Sequence, residues 1–557
     1  MTIIFDEDKQ NKKVDDLRKA EEENVTRILS EKYQLPYLDL TLLPINPDAL
    51  RLIDESRARD AKIVIFNAIG KKIEVAMLAP EKAETLALVH ELENRGYQMT
   101  SFLVSNSSLV KAWERYKDIS FSTETKAGAL DISNEAIVAL LQEVHSLEDI
   151  KKQVQDILAT KKGFRISRIL EIIIAGGLAT GASDIHYEPE ETSVRLRFRL
   201  DGVLVDIIEF DVETYTLLLS RIKLLSGLKL NIKSNAQDGR FSVIVDASEI
   251  EIRTSILPGA YNESIVLRLL NPKSIAVPIE ALGIEPKLLA ILQKEIAKPN
   301  GMILTTGPTG SGKTTTLYAF LRKVSSPENK IITIEDPIEY HLPGIVQTQV
   351  NIEKEYTFLN GLRSALRQDP DIIMVGEIRD SETAEIAINS ALTGHLVFST
   401  LHTNNAAGAF PRLIDLGVNP KVMTSAINVT LAQRLVRTLC KECKKQIPLE
   451  GEMKTLIEKI FTTIQSPEYK TLQTQTIFAP AGCTKCNNSG YKGRIGIYEA
   501  ILTDSAIEKV INENPSEREI ATAALPQGIP TMEQDGIVKI LKGLTTLEEL
   551  QRVIEIK

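Results

Sequence analysis

The 557-residue sequence is poor in several residue types, and each shortage excludes a class of protein. It contains one Trp, six His and four Cys, and the aromatic residues make up only 5% of the chain. Four Cys are too few to staple a chain of this length as a disulfide scaffold. The sequence also lacks any uninterrupted run of about 18 apolar residues, the length that predicts a membrane-spanning helix.

Basic residues are also fewer than acidic residues. The 66 Lys and Arg residues stand against 75 Asp and Glu, which gives a formal net charge of −9. This balance disfavours a broad surface for nucleic-acid phosphates, so we expect no nucleic-acid partner. Residues 1–8 show neither the basic nor the apolar stretch of a secretion signal, and we expect the protein in the cytoplasm.

The length predicts about three or four domains, because single cores rarely grow beyond about 250 residues. Composition and periodicity predict the following divisions: a flexible leader at 1–24, a small α/β domain at 25–116, a linker and helix at 117–160, a second α/β domain at 161–272, a linker at 273–295 and a nucleotide-binding domain at 296–557. In the second domain, Arg195, Arg197 and Arg199 fall on one strand face, which fits a solvated surface, a bound anion or an acidic partner.

The strongest local signal is an apolar β-type run from residue 301 that leads into G-x-x-x-x-G-K-T. Glycines allow the backbone to turn its N–H groups toward phosphate oxygens, and the following helix points its positive end at the same anion. In this pattern Lys313 reaches the β- and γ-phosphates and the Thr314 hydroxyl ligates Mg²⁺. A glycine-rich turn with a surface lysine is the less favoured alternative. The predicted nucleotide-binding residues are Gly307, Pro308, Thr309, Gly310, Ser311, Gly312, Lys313, Thr314 and Thr315.

Two later strands end in acidic residues. The first leads into Glu335-Asp336-Pro337-Ile338-Glu339, and the second, Ile372 to Val375, leads into Gly376-Glu377. Ligands of parallel α/β sheets bind at the carboxyl ends of the strands, where an acid can hold Mg²⁺ or orient water. Either acid alone could be a surface residue at a strand end, but a phosphate loop in the same domain favours a catalytic role.

His395 and His402 flank another predicted strand. A neutral histidine can donate to a γ-phosphate, so either residue could sense an intact triphosphate. A structural role for His402 is an equally good interpretation.

The four cysteines form the pattern C-x2-C-x39-C-x2-C, from Cys440 and Cys443 to Cys483 and Cys486. Four thiolates predict a closed, structural Zn²⁺ site, and buried free thiols are the less favoured alternative. We predict that residues 448–480 of the tetracysteine subdomain 440–486 protrude from the nucleotide-binding domain and that the metal holds this insertion against it.

Four motifs in order carry a family resemblance: GPTGSGKTTTLYAFL, ITIEDPIEY, LRQDPDIIMVGEIRD and TGHLVFSTLHTNNA. They resemble the Walker A, Asp box, Walker B and His box of the ATPases of type II secretion and type IV pilus assembly. The upstream segments SDIHYEPEETSVRLRFRLDGVL and QDGRFSVIV are similar to the second N-terminal domain of these motors.

The resemblance implies an α/β fold class, with a RecA-like P-loop motor domain, a PAS-like domain, a small N-terminal α/β domain and a zinc-binding insertion. It implies a homohexamer that uses ATP, Mg²⁺ and Zn²⁺. It assigns Glu377 as the Walker B acid, Glu339 as the general base with Glu335 in reserve, and His395 and His402 as γ-phosphate sensors. Candidates for an arginine acting on a neighbouring subunit are Arg199, Arg221 and Arg240.

The resemblance also implies partners and a direction of work. The partners are an inner-membrane platform protein and a cytoplasmic adaptor, so the chain would touch the membrane only peripherally. Pilus-retraction members lack the tetracysteine element, which favours pilus extension or type II secretion over retraction. Some members of the resembled family bind cyclic di-GMP through an Arg-Leu-Gly-type motif in an N-terminal module. No Arg-Leu-Gly occurs in residues 1–120, so we predict a protein partner for residues 25–116 and not cyclic di-GMP. A nucleic-acid translocase and a non-hydrolysing ATP-controlled switch remain as alternatives.

Overall fold

The computed structural model describes residues 21–40, 45, 47–50, 52–69, 71–118, 134–159, 165–245, 248–272, 277–351, 354–472, 474–513 and 515–556. The chain divides into two compact units, one from Met1–Ser133 with Val154–Glu171 and the other from Asn134–Gln153 with Ile172–Lys557. Residues 1–20 of the predicted leader, and residues 119–133 and 160 of the predicted linker and helix, lie outside the described residues. No helix among those described is long and apolar enough to cross a membrane.

The first unit contains a three-stranded sheet in the order β1-β2-β3, built from Ile63–Ile69, Lys72–Met77 and Gln98–Leu103. β1 and β2 are antiparallel, and β2 and β3 are parallel. Its helices are Pro47–Leu50, Glu55–Asp60, Ala83–Asn94 and Asn106–Glu114, with a 3₁₀ turn at Arg115–Asp118. The apolar run from Leu38 to Leu43 predicts a further strand, but none is found among the residues described there, where Tyr37 makes only a single bridge to Leu103.

Residues 21–24, which the sequence placed in the flexible leader, belong to a helix over residues 21–33. Glu23 accepts hydrogen bonds from the Tyr37 hydroxyl at 2.5 Å and the Ser105 hydroxyl at 2.6 Å. A charged composition suggested a mobile segment here, but one carboxylate anchors the end of this helix to the small α/β domain.

The second unit begins with helix Asn134–Glu143 and later includes helix Val212–Leu225, while helices Leu147–Leu158 and Arg165–Thr180 each have residues in both units. A six-stranded antiparallel sheet in the order β6-β5-β4-β9-β8-β7 accompanies them. Its strands are β4 Asp184–Pro189, β5 Val194–Leu200, β6 Val203–Phe210, β7 Gln237–Val245, β8 Ser248–Pro258 and β9 Glu263–Leu270. The apolar pattern predicts five of these strands, at 194–200, 203–210, 241–245, 249–255 and 264–270, but it does not predict β4.

The arginine row on β5 is paired within the sheet. Arg197 donates to Glu188 Oε1 at 2.6 Å, and Arg199 lies 3.4 Å from Asp184 Oδ2. Arg195 lies 3.0 Å from Glu190. Because carboxylates on and beside β4 already offset this charge, the row does not require a bound anion.

A seven-stranded sheet in the order β12-β11-β13-β14-β10-β15-β18 forms the centre of the motor region. Its strands are β10 Gly301–Thr306, β11 Ile331–Glu335, β12 Val346–Gln349, β13 Ile372–Val375, β14 Leu396–Leu401, β15 Ile427–Leu439 and β18 Tyr491–Leu502, while β16 Lys445–Pro448 and β17 Thr476–Ala479 form a separate ribbon. All neighbours pair in parallel except β15 and β18. Met302 and Leu304 enter one apolar core and Ile303 enters another, so both faces of the sheet are covered.

The helices of this region supply the covering layers. They are Pro286–Ile296, Lys313–Val324, Phe358–Leu366, Ser381–Leu392, Ala409–Asp415, Pro420–Ala426, Gly451–Phe461, Ser505–Glu513, Glu517–Ala524, Met532–Leu541 and Leu547–Val553. The linker prediction for 273–295 is wrong for its second half. Helix Pro286–Ile296 buries Leu288 and Leu292 in the core that contains Ile303.

The tetracysteine region does not depend on metal alone for its packing. Ile457 and Ile460 of helix Gly451–Phe461 are buried in one cluster with Ile537 and Ile540 of helix Met532–Leu541. Polar composition had suggested a protruding segment with little core. The helical spacing of a few Ile residues is enough to pack it against the C-terminal helices.

Candidate functional site

The phosphate loop joins β10 to helix Lys313–Val324. Gly307, Gly310 and Gly312 have φ angles of +148°, +77° and +90°, which residues with a Cβ rarely adopt. Gly312 is the N-cap of the helix. These angles give the turn that the glycine spacing predicted, and residues 308–310 at its tip are exposed.

Lys313 folds back over this loop. Its Nζ donates to Gly307 O at 2.8 Å and Pro308 O at 3.0 Å. Burial lowers the pKa of Lys313, and the nearby Glu377 carboxylate opposes that shift. The Ser311 Oγ is buried and has no hydrogen-bond partner within the described chain. A phosphate would supply the acceptor that this hydroxyl lacks, and it would offer the ammonium an anionic acceptor in place of the two carbonyl groups, so the residues present fit the group.

The predicted acids lie together because β11 and β13 are parallel neighbours, with Ile334 opposite Val375. Glu377 follows β13, and its side chain is 12% exposed. One of its oxygens lies 2.5 Å from Arg379 Nη2, and the other lies 3.4 Å from His402 Nε2. Glu377, Lys313 and His402 therefore share one end of the sheet.

Glu335 ends β11 and is buried at 3% exposure. It accepts hydrogen bonds from the hydroxyls of Tyr318 and Thr333 and from the Gln347 amide. Burial raises its pKa against these hydrogen bonds. A carboxyl this enclosed has little access to water, which favours a structural role over the reserve catalytic one.

Glu339 is the more accessible acid, with a side chain 30% exposed. Its Oε2 accepts from Arg253 Nη1 at 3.3 Å, while Arg253 Nη2 donates to Ile338 O at 2.5 Å. Arg253 lies on β8 of the six-stranded sheet, and the sequence analysis did not select it. Its distance of 86 residues from Glu339 left no local signal.

The two histidines lie at opposite ends of β14. His402 follows the carboxyl end of β14, beside the phosphate loop, and Thr403 N–H donates to Thr306 Oγ1 at 2.9 Å. His395 precedes β14, where its carbonyl accepts from Gly301 N–H at the amino end of β10. A six-residue strand spans roughly 20 Å. The assignment of His395 as a γ-phosphate sensor in its own chain is therefore wrong, because the strand places it at the opposite edge.

The three arginine candidates differ in availability. Arg240 is on the edge strand β7 and has a side chain 73% exposed, with Glu251 at 3.3 Å. Arg199 pairs with Asp184 and donates to Gly202 O at 3.2 Å. Arg221 is half-buried on helix Val212–Leu225. Arg240 is the best placed of the three to reach another molecule.

The four cysteine sulfurs come together, all within 4.8 Å of one another. The Cys440–Cys483, Cys443–Cys486 and Cys483–Cys486 pairs are separated by 3.9, 3.8 and 3.7 Å. Tetrahedral zinc with Zn–S bonds of about 2.3 Å requires sulfurs about 3.8 Å apart. Cys486 Sγ also accepts N–H groups of Cys483 and Gly490. The cluster fits one tetrahedral zinc ion.

Two known protein families match segments of this chain. The Type II/IV secretion system protein family matches residues 159–552, and the MshEN domain family matches residues 33–123. The chain belongs to the Type II/IV secretion system protein family. The resemblance drawn from the four motifs is thus confirmed, together with the mixed α/β class and the prediction of an ATPase.

Two similar proteins match this chain over more than nine-tenths of its length. The type II secretion system ATPase E of Vibrio cholerae is 36% identical over 92% of this chain and 99% of its own. The type IV pilus assembly ATPase PilB of Myxococcus xanthus is 36% identical over 95% of this chain and 91% of its own. Among solved structures, the Legionella pneumophila ATPase DotB is 21% identical, with a TM-score of 0.48, and covers 69% of this chain and 94% of its own.

Proposed function

We propose that this chain is the ATPase motor of a type IV pilus assembly or type II secretion machine. The observation that carries the proposal is the juxtaposition of Lys313, Glu377 and His402 at one edge of the sheet in a chain of this family. Relatives with both names cover more than nine-tenths of this chain, which supports export or extension over retraction.

In the proposed reaction, the phosphate loop and Lys313 would bind the β- and γ-phosphates, and Thr314 with Glu377 would hold Mg²⁺. The metal supplies charge neutralisation at the transferring phosphoryl group. Glu339 orients and deprotonates the attacking water. It suits this task because it is partly exposed, whereas Glu335 is enclosed by hydrogen bonds.

We propose further that six copies close the ATP site between subunits and that Arg240 of one subunit acts on the site of the next. Such an arginine neutralises charge that develops during transfer. The ring would work in the cytoplasm and bind the inner membrane peripherally, through a platform protein and an adaptor. Zinc in the tetracysteine cluster would have a structural role, because the protein fills all four ligand positions.

The decisive experiment compares wild type with Lys313→Ala in the cells that produce the protein. The change should abolish ATP turnover in the purified protein and leave pilin subunits or secreted proteins inside the cell. Which of the two accumulates identifies the load. Unchanged ATP turnover in Lys313→Ala would overturn the proposal.

The alternatives give different outcomes. A nucleic-acid translocase would hydrolyse ATP faster when single- or double-stranded DNA is added, and we expect no such stimulation. A non-hydrolysing switch would bind ATP without releasing phosphate. A retraction motor would leave cells with excess filaments when Lys313 is changed, instead of none.

A further inference from the structure

Two buried polar side chains on β15 lie directly behind the phosphate loop, and the roles assigned above do not use them. Gln433 is 1% exposed and Arg434 is 7% exposed. The Gln433 side-chain amide donates to Ser311 O at 2.8 Å. Since β15 pairs with β10 as far as Ala432 opposite Thr306, the next two residues of β15, Gln433 and Arg434, lie beside the loop that follows Thr306.

Arg434 lies between the phosphate loop and the loop after β14. Its Nη2 donates to Asn404 O at 2.8 Å, in the segment after β14 that carries His402. Its Nη1 donates to Gln433 O at 3.0 Å. A Cβ built on Gly307 would lie 3.0 Å from this same Nη1 and 2.7 Å from Gln433 O. Gly307 therefore lets the phosphate loop pack closely against the guanidinium group.

The charge of Arg434 also acts on the site. Burial lowers its pKa, with Glu499 opposing. Burial also lowers the pKa of Lys313, and the positive charge of Arg434 contributes to that shift. Two cations held this close to one loop repel each other, and an anion bound at the loop reduces that repulsion.

We propose that Arg434 is a positioning residue of the ATP site, which fixes the loop after β10 against the loop after β14 so that Lys313 and His402 face the same phosphate group. The inference rests on the proposed function. In this role Arg434 does not contact the nucleotide. Its effect passes through the carbonyl groups of Gln433 and Asn404.

The test uses full-length protein and measures kcat, KM for ATP and Tm for Arg434→Gln, Arg434→Lys and the control Arg437→Gln. Arg437 is on the same strand but pairs with Glu549, away from the phosphate loop. Arg434→Gln should lower kcat on the order of 10²-fold, as expected when reacting groups shift by about 1 Å. Arg434→Lys keeps the positive charge, so it should retain the wild-type KM for ATP. It lacks the two guanidinium nitrogens that bond Gln433 O and Asn404 O, so its kcat should stay low. Arg437→Gln should lower Tm and leave kcat and KM unchanged.

A second measurement separates positioning from folding. If Arg434 acts by placing His402, then His402→Ala should cost much less in the Arg434→Gln background than in wild type. Independent, multiplicative losses would overturn the proposal, as would an Arg434→Gln variant with lower Tm but wild-type kcat. Should Arg434→Gln fail to fold, a wild-type kcat in Arg434→Lys would overturn it equally. Lys313→Ala serves as the reference, since turnover in that variant contradicts the proposed function itself.

Discussion

The residues around the site include three acids whose surroundings separate their roles. Glu339 is partly exposed, and it is the acid that we assign as the base. We predict that Glu339→Gln retains ATP binding but lowers kcat by about 10²- to 10⁴-fold, the usual contribution of a general base. Steady-state turnover together with a nucleotide-binding measurement checks both halves of the prediction.

The matched control is Glu385→Gln, because Glu385 is an exposed acid on helix Ser381–Leu392 of the same domain. It should leave both kcat and ATP binding unchanged. If Glu339→Gln kept wild-type turnover while Glu335→Gln lost it, the assignment of the two acids would have to be exchanged.

The sequence predicted the residues whose partners are close in the chain. The glycines and Lys313 are neighbours in sequence, so their spacing alone predicted that they would form one loop. Arg253 and Arg434 reach the site from strands far away in sequence, and only the pairing of strands brings them there. His395 shows the opposite error: it is seven residues from His402, but one strand between them places them at opposite edges.

At the scale of elements, an ion-pair network fastens the last helix to β15. Glu549 is buried and accepts from Arg437 Nη2 at 2.5 Å and from Arg552 Nη2 at 2.9 Å. Burial would raise its pKa, but these hydrogen bonds outweigh burial and lower the pKa to about 2. Its stabilising contribution is therefore complete above the unfolded pKa of about 4.3 and is lost as pH falls through about 2.

We therefore predict that Glu549→Gln lowers the free energy of unfolding by about 3 kcal/mol at pH 7 and by less at pH 3. Urea denaturation at the two pH values measures the difference. The neighbouring Glu548 is exposed, so Glu548→Gln should change stability little at either pH. An equal loss for Glu549→Gln at both pH values would show that ionisation is not the cause.

The cysteine cluster gives a second prediction for an element. We expect about one zinc ion per chain in protein purified without chelator, and its loss in Cys443→Ser. Because the cluster joins the segments on both sides of the β16–β17 ribbon, metal loss should also lower Tm. Atomic emission and a thermal melt measure the two effects. Glu442→Gln, an exposed change between two ligands, should retain the metal; zinc-free wild type would contradict the assignment.

The elements themselves were predictable where periodicity was clean. The helical run from Ser381 to Leu392, which Thr393-Gly394 ends, and the apolar run from Ile372 to Val375 predict a helix and β13 with the bounds that the structure has. β4 was missed because Asp184–Pro189 carries two acids, a His and a Pro, which disfavour a strand locally. Pairing with β5 on one side and β9 on the other stabilises it there. Such a contribution from tertiary pairing has no local signature in the sequence.

At the scale of the whole molecule, the proposed ring requires residues of two chains at each ATP site. Arg240 is exposed on the edge strand β7, so we assign it to the neighbouring site. Alone, Lys313→Ala and Arg240→Ala should each be nearly inactive, since one lacks the phosphate lysine and the other the arginine. The loss from removing such an arginine is about 10³- to 10⁵-fold in other phosphoryl-transfer systems.

Mixing the two inactive proteins then tests the assembly directly. In a random equal mixture, about a quarter of interfaces join an intact site from an Arg240→Ala chain to an intact arginine from a Lys313→Ala chain, and these should regain activity. Subunits must be allowed to exchange before turnover is measured. Arg240→Lys in place of Arg240→Ala controls for charge alone. If both variants formed rings but their mixture stayed as inactive as either alone, Arg240 would not act between subunits. The same complementation assay with Arg199→Ala and Arg221→Ala would then identify the arginine that does.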